Sequence, residues 1–185
     1  MIDEPEVCAA GGEMAKVRKS AATAALKRKK PAELLILHSD IMEELRNRGI
    51  VRSANNPTGD LAEYIFCKAF KTWERAPNSK AGFDATCKRT KKKYQIKARR
   101  VTSRNKSRQL SAIRELDNRH FDFLAAIIFN ERYEVAKAII VPHRSICTRC
   151  TFVEHTNSHK LLLHDDVWKL RGAKDVTKKL KAVRL

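Results

Sequence analysis

Four side chains in the middle of the chain have the types and spacing of a hydrolytic site. Along a β-strand, side chains two apart share a face. In Tyr94-Gln95-Ile96-Lys97-Ala98-Arg99, the residues Tyr94, Ile96 and Ala98 point one way, and Gln95, Lys97 and Arg99 the other. In the segment before it, Phe83 and Ala85 are expected inward and Asp84 and Thr86 outward. A hairpin through Lys88-Arg89-Thr90-Lys91-Lys92 would pair the two strands and set a carboxylate, an amide and an ammonium side by side. Glu63 adds a second carboxylate. It stands one turn inside a predicted helix, at the head of the apolar stripe Phe66, Cys67 and Phe70. A carboxylate there is costly to bury unless it is paired or bound to a metal. Mg2+ (or Mn2+) takes oxygen ligands, commonly one or two carboxylates with water and phosphate. Asp84 and Glu63 are the candidate metal ligands. Gln95 is placed to orient a water, and Lys97 to hold it or to neutralise charge developing on a phosphate.

The setting of these residues is basic. No acid occurs from Ala85 to Arg114, and the candidate phosphate contacts there are Lys91, Lys92, Lys93, Arg99, Arg100, Arg104, Lys106 and Arg108. The whole chain of 185 residues carries a formal charge of +18. A solvated surface usually mixes signs, whereas lysines and arginines that meet phosphates release counterions and give salt-sensitive binding. DNA or RNA is therefore the expected partner, although phosphate contacts alone carry no sequence information. Taken singly, each site residue has an ordinary reading: Glu63 as a helix edge, Asp84 as the close of a turn, and Gln95, Lys97 and Arg99 as a solvated strand face.

Together, Glu63, Asp84 and Gln95-Ile96-Lys97 resemble the restriction-endonuclease-like superfamily, the PD-(D/E)xK nucleases, in a Gln-x-Lys form. The stretches Asn56-Pro57-Thr58-Gly59-Asp60-Leu61-Ala62-Glu63, Tyr94-Gln95-Ile96-Lys97 and Asn105-Lys106-Ser107-Arg108-Gln109-Leu110 also resemble an uncharacterised bacterial family of that fold. The resemblance implies a helix, three strands, a helix and a strand, and metal-dependent cleavage of DNA by Glu63, Asp84, Gln95 and Lys97. Two departures stand out. Gln95 replaces the usual acid, which removes a negative charge and lowers the expected metal affinity. Phe83, not Pro, precedes Asp84. The alternatives are a catalytically idle DNA-binding protein of the same fold and a basic RNA-binding protein.

Periodicity supplies the elements that must carry these residues. Residues 1–30 read as a basic tail with the run Lys27-Arg28-Lys29-Lys30, and 31–185 as a single nuclease-like domain with its core at about 56–142. Leu34, Leu35, Leu37, Ile41, Met42 and Leu45 predict a helix over 32–48, stopped by Gly49. Pro57 opens a second helix running to about Lys71. After a turn at Pro77-Asn78-Ser79, strands are expected over Gly82–Cys87 and Tyr94–Val101. A helix is expected over 106–117, with Leu110, Ile113 and Leu116 inward. Phe121–Phe129 and Val135–Val141 predict buried strands, and Thr151-Phe152-Val153 a short one, with one or two short helices through Trp168 and Leu180. The order predicts an α/β fold, a mixed sheet flanked by helices.

Other signals are weaker. Cys147, Cys150, His155 and His159 form C-x2-C-x4-H-x3-H, with ligand types that suit zinc; two free thiols are the plainer reading. Trp73 and Trp168 read as packing residues. Five scattered cysteines do not form a disulfide framework, which points to a reducing, cytoplasmic setting. The longest clean apolar run, Phe123 to Phe129, is too short to span a bilayer, and the N-terminus lacks the apolar core of a signal peptide, so no membrane partner is expected. Cutting both strands of a duplex often needs two active sites, which makes a homodimer the candidate assembly.

Overall fold

The computed structural model describes residues 22–77 and 82–185. The tail up to residue 21, and Asn78 and Ser79 of the expected turn, lie outside the described residues. The chain divides into two units, Met1–Asn47 and Arg48–Leu185.

In the first unit, residues 22–27 are helical and α1 spans Pro31–Asn47. Its N-terminus is capped locally: the Lys30 N–H donates to the Glu33 carboxylate at 2.6 Å. Gly49 follows in the left-handed region, at φ 67°, as the sequence predicts.

The second unit is an α/β sheet of six strands in the order β1-β2-β3-β4-β5-β8. These are β1 (Trp73–Arg75), β2 (Ala85–Cys87), β3 (Lys93–Arg100), β4 (Phe123–Phe129), β5 (Val135–Pro142) and β8 (Lys174–Asp175). The sheet is mixed. β3 and β4 run parallel, and the other neighbours are antiparallel. A separate hairpin pairs β6 (Thr151–Val153) with β7 (Ser158–Lys160). The helices are α2 (Thr58–Ala69), α3 (His143–Cys147) and α4 (Thr177–Lys181).

Both faces of the sheet are covered, so β4 is buried almost throughout. Its unbroken apolar run is the signature of a strand with a core on each side. On the first face, Ile96, Ala125, Ile127 and Ile140 pack with Leu61, Ala62, Ile65 and Phe66 of α2 and Leu180 of α4. Trp73 joins this core, stacked on Tyr94 with ring centroids 3.7 Å apart. On the second face, Leu124, Ala126, Ile128 and Ile139 pack with Leu110, Ile113, Leu116, Leu161 and Leu163.

The helix expected over 106–117 does not form. The three apolar residues are buried as expected, but the segment is extended. Gln109 bridges Leu162 and Ile113 bridges His159, and the Ile113 N–H donates to the His159 carbonyl at 2.9 Å. Short polar side chains also take the backbone donors that a helix would need. Asn105 accepts from the Ser107 N–H at 3.1 Å, and Ser107 from the Gln109 N–H at 3.2 Å. Only a 3-10 turn at Leu116–Asn118 remains. The crossover from β3 to β4 therefore lacks the helix that the family resemblance implies.

Two strand readings also change. β2 is three residues long: Gly82, at φ 91°, bends the chain before it, although the Asp84 backbone still donates to the Tyr94 carbonyl and accepts from the Ala76 N–H, each at 2.8 Å. Phe83 consequently packs against the second core and not beside Ala85 on the first.

Candidate active site

β3 sets the site. Its register places Gln95, Lys97 and Arg99 beside Leu124, Ala126 and Ile128 of β4, on the face of the second core. The ordinary reading of these side chains as a solvated strand face does not hold: they are half-buried at the border of an apolar layer.

β2 and β3 pair only at Ala85–Tyr94 and Thr86–Lys93. Asp84 lies just before this short ladder, opposite Gln95. One of its carboxylate oxygens accepts the Gln95 amide N–H at 2.5 Å and the Ile96 backbone N–H at 2.6 Å. The side chain thus adds to the strand backbone here, since the Asp84 N–H also donates to the Tyr94 carbonyl at 2.8 Å. Gly82, two residues before Asp84, lies so close to His120 that a Cβ there would be 2.4 Å from the His120 Cβ.

Glu63 comes from α2, on the first face, and its side chain is 14% exposed. It is paired with the Arg52 guanidinium, which also donates to the Ala76 carbonyl at 2.9 Å. Arg52 is itself anchored through Asp60, whose carboxylate accepts the Arg52 N–H, the Ser53 N–H and the Ser53 hydroxyl, each at 2.9 Å. Burial alone would raise the Asp60 carboxyl, but these bonds hold it below the usual range. Arg75 donates to the Asp60 carbonyl at 2.9 Å and closes the far side of the cluster.

The four expected residues are electrostatically coupled. Burial pushes the Glu63 carboxyl up and the Asp84 charge adds to that, against Arg52 and Arg75. Burial also raises Asp84, against the Ile96 N–H, the Lys97 charge, the Gln95 amide and Arg52. Lys97 is pushed down by burial, opposed first by Asp84; Arg114 adds to the depression and Glu63 opposes it. Two carboxylates and an ammonium are thus poorly hydrated and within one another's field.

The donor set fits a hard divalent cation. Asp84 and Glu63 offer two carboxylates, each made costly by burial, and an Mg2+ or Mn2+ ion between them would offset that cost. No set of three or more His, Cys, Asp or Glu residues converges among the described residues. No local pattern points to Arg52, which reaches Glu63 only through tertiary structure. Asp60 did carry one, since it lies a helical turn before Glu63 on the same face.

The expected phosphate contacts divide by their surroundings. Lys91, Arg104 and Lys106 are exposed, with no ion pair among the described residues. Lys93 lies over the Phe83 ring. Lys92 pairs with Asp122 at 2.8 Å and Arg108 with Asp165 at 2.8 Å. Arg99 donates to the Ser107 carbonyl at 3.0 Å. Arg100 donates to the Glu131 carbonyl at 2.7 Å and lies over the Tyr133 ring.

The residues of the zinc-like pattern go different ways. The Cys147 thiol meets His143 Nδ1 at 3.5 Å, Cys150 packs against the second core, and the His159 ring lies on Phe152. Burial drives the Cys150 thiol up to about 12. The four described cysteines are free. No described helix is long and apolar enough to cross a membrane.

No protein-family model matches the chain, and no curated protein matches it.

Proposed function

We propose that this protein is a metal-dependent DNA endonuclease of the restriction-endonuclease-like kind, with a Gln-x-Lys site. One observation carries the reading: Asp84, Gln95 and Lys97 share a half-buried face at the end of the β2–β3 ladder, in the electrostatic field of Glu63. The antiparallel β1-β2-β3 meander followed by the parallel β3–β4 pair supports it, although the crossover carries no helix.

Asp84 and Glu63 would hold Mg2+ or Mn2+. When bound, the ion would polarise the scissile phosphate and acidify a water. Lys97 would present its ammonium to the negative charge that grows on the phosphate in the transition state. Its partial desolvation strengthens that interaction. The Gln95 amide and the Ile96 N–H would hold the rotamer of Asp84. The exposed Lys91, Arg104 and Lys106 would hold the DNA backbone. Cutting both strands would be served by a homodimer.

A catalytically idle DNA-binding protein of the same fold is the second reading. It is favoured by the Arg52 guanidinium, which already satisfies Glu63, and by the neutral amide at position 95. Incubating the purified protein with supercoiled plasmid, linear duplex and branched DNA separates the two. Cleavage that needs Mg2+ or Mn2+ and stops with chelator is the expected result. Binding without cleavage of any form by either metal would establish the idle binder. Preference for structured RNA over duplex DNA would point to a third role.

A further inference from the structure

A cavity lined by none of the four residues above offers a separate candidate site. It is a cavity of about 560 Å³ where the start of β4 and the end of β5 meet the Arg171-Gly172 turn. Its size falls within the range of small-molecule sites. Lys92, Arg119, Arg144 and Arg171 line it, with Asp122 as its single carboxylate. The Asp122 charge is already engaged, by the Lys92 ammonium at 2.8 Å and the Lys93 N–H at 2.9 Å. None of the three arginines forms an ion pair among the described residues. Three unneutralised guanidiniums round one hollow repel each other, and an anion would relieve that repulsion.

The cavity has an apolar side as well. Phe123 and Pro142 are only partly buried where they line it. Its rim is fixed. The Ser145 hydroxyl donates to the Arg171 carbonyl at 2.7 Å. Gly172, at φ 78°, lies so close to Pro142 that a Cβ would meet its ring at 2.8 Å. Arg119 is held at φ 51°, a conformation uncommon outside glycine. Guanidiniums recognise phosphate oxygens in pairs, and an apolar wall beside them suits a sugar or base. An isolated phosphate would leave that wall and most of the volume unused.

We infer that this cavity is a binding site for a single phosphorylated nucleotide, taken either from the 5′-phosphate end of a DNA strand or free in solution. The strand-end source rests on the DNA reading above; the free-nucleotide source does not.

The test uses the full chain in EDTA, so that no strand is cut. A 3′-fluorescent single-stranded 12-mer is titrated with and without a 5′-phosphate, and deoxyadenosine 5′-monophosphate is added as competitor. The phosphorylated strand should bind at least about tenfold more tightly, and the mononucleotide should remove that advantage. Arg144→Ala with Arg171→Ala should bring the two affinities together and leave the unphosphorylated strand unaffected. Both arginines are exposed, and Arg144→Gln alone, which should lessen the preference, provides a milder variant. Equal, tight binding of both strands, with no heat of binding for the mononucleotide by calorimetry, would overturn the inference and leave the DNA reading intact. Binding of the mononucleotide alone, lost in the variants, would support the inference and count against the DNA reading. A 5′-phosphate preference that survives in the variants would place the site elsewhere.

Discussion

Replacing Asp84 by asparagine should invert the order of two melting temperatures. In the folded protein burial raises the Asp84 carboxyl above its ordinary value, and this net rise already includes the attraction of Lys97 and Arg52. The ionised form is therefore less comfortable in the fold than in the unfolded chain. At neutral pH the charge costs stability; the cost begins to shrink as pH falls through the raised folded-state pKa and is gone below the ordinary, unfolded-state value. Asparagine keeps an oxygen for the Ile96 N–H and the Gln95 amide but carries no charge. In EDTA at pH 7, Asp84→Asn should melt above the wild type, by a margin that shrinks on acidification. With metal the order should reverse. A ligand at one hundred times its Kd stabilises the form that binds it by about 2.7 kcal/mol, which is roughly 8 °C for a unit of this size. The variant, left with Glu63 as its only carboxylate, should gain little. Scanning fluorimetry of both proteins, with EDTA and with an Mg2+ or Mn2+ series, reads the crossing directly. Plasmid cleavage by the variant should fall by at least about a hundredfold, while DNA affinity survives or tightens because a carboxylate no longer faces the phosphates. A variant that cuts at the wild-type rate would show that the site is wrongly assigned. A wild type that no metal stabilises, with a variant that melts lower in EDTA, would refute the electrostatic argument.

Lys97→Ala should abolish cleavage without loss of DNA affinity, measured by nicking and by gel shift on the same duplex. Gln95→Glu should retain cleavage and lower the metal concentration needed for half-maximal stabilisation. Gly82→Ala should separate Asp84 from β3 by pushing the bend away from His120, so metal stabilisation and cleavage should fall together while far-UV circular dichroism stays native. Replacing Lys91, Lys92 and Lys93 together by alanine should flatten the salt dependence of DNA binding by about 0.9 per lost phosphate contact; Lys92 is tied to Asp122, so roughly two contacts are at stake. Deleting residues 1–30 should leave the melting temperature unchanged and weaken DNA binding through loss of the Lys27–Lys30 run, which fluorimetry and anisotropy check in parallel.

What the sequence disclosed followed from how each residue is buried. β3 was legible because its two faces meet different environments, so its pattern alternates; β4 was legible because both its faces are buried. The pairing of Asp84 with Gln95 followed from the hairpin register. β1 was hidden because three residues are too few to show a period. The segment after β3 misled because Leu110, Ile113 and Leu116 are three apart, which suits a helix, whereas its real partners are Leu161 and His159, some fifty residues on. Such pairing is set by tertiary contact, and no local pattern records it. For the same reason Arg52, eleven residues before Glu63, was missed.

The amide at position 95 makes physical sense in this setting. A glutamate there would bring a second carboxylate to a half-buried Asp84 whose oxygen now lies 2.5 Å from the Gln95 nitrogen. Two such charges without an intervening cation would raise one pKa or force the strands apart. Glutamine instead donates to Asp84, just as Arg52 donates to Glu63, so both carboxylates have a partner in the metal-free protein. The site is thus assembled before any ion arrives, and an ion that enters must compete with a guanidinium and an amide for the same oxygens. On the proposed reading this trades metal affinity for a preformed geometry. That is why the substitution at 95 should act on the metal requirement, and the substitution at 97 on the rate.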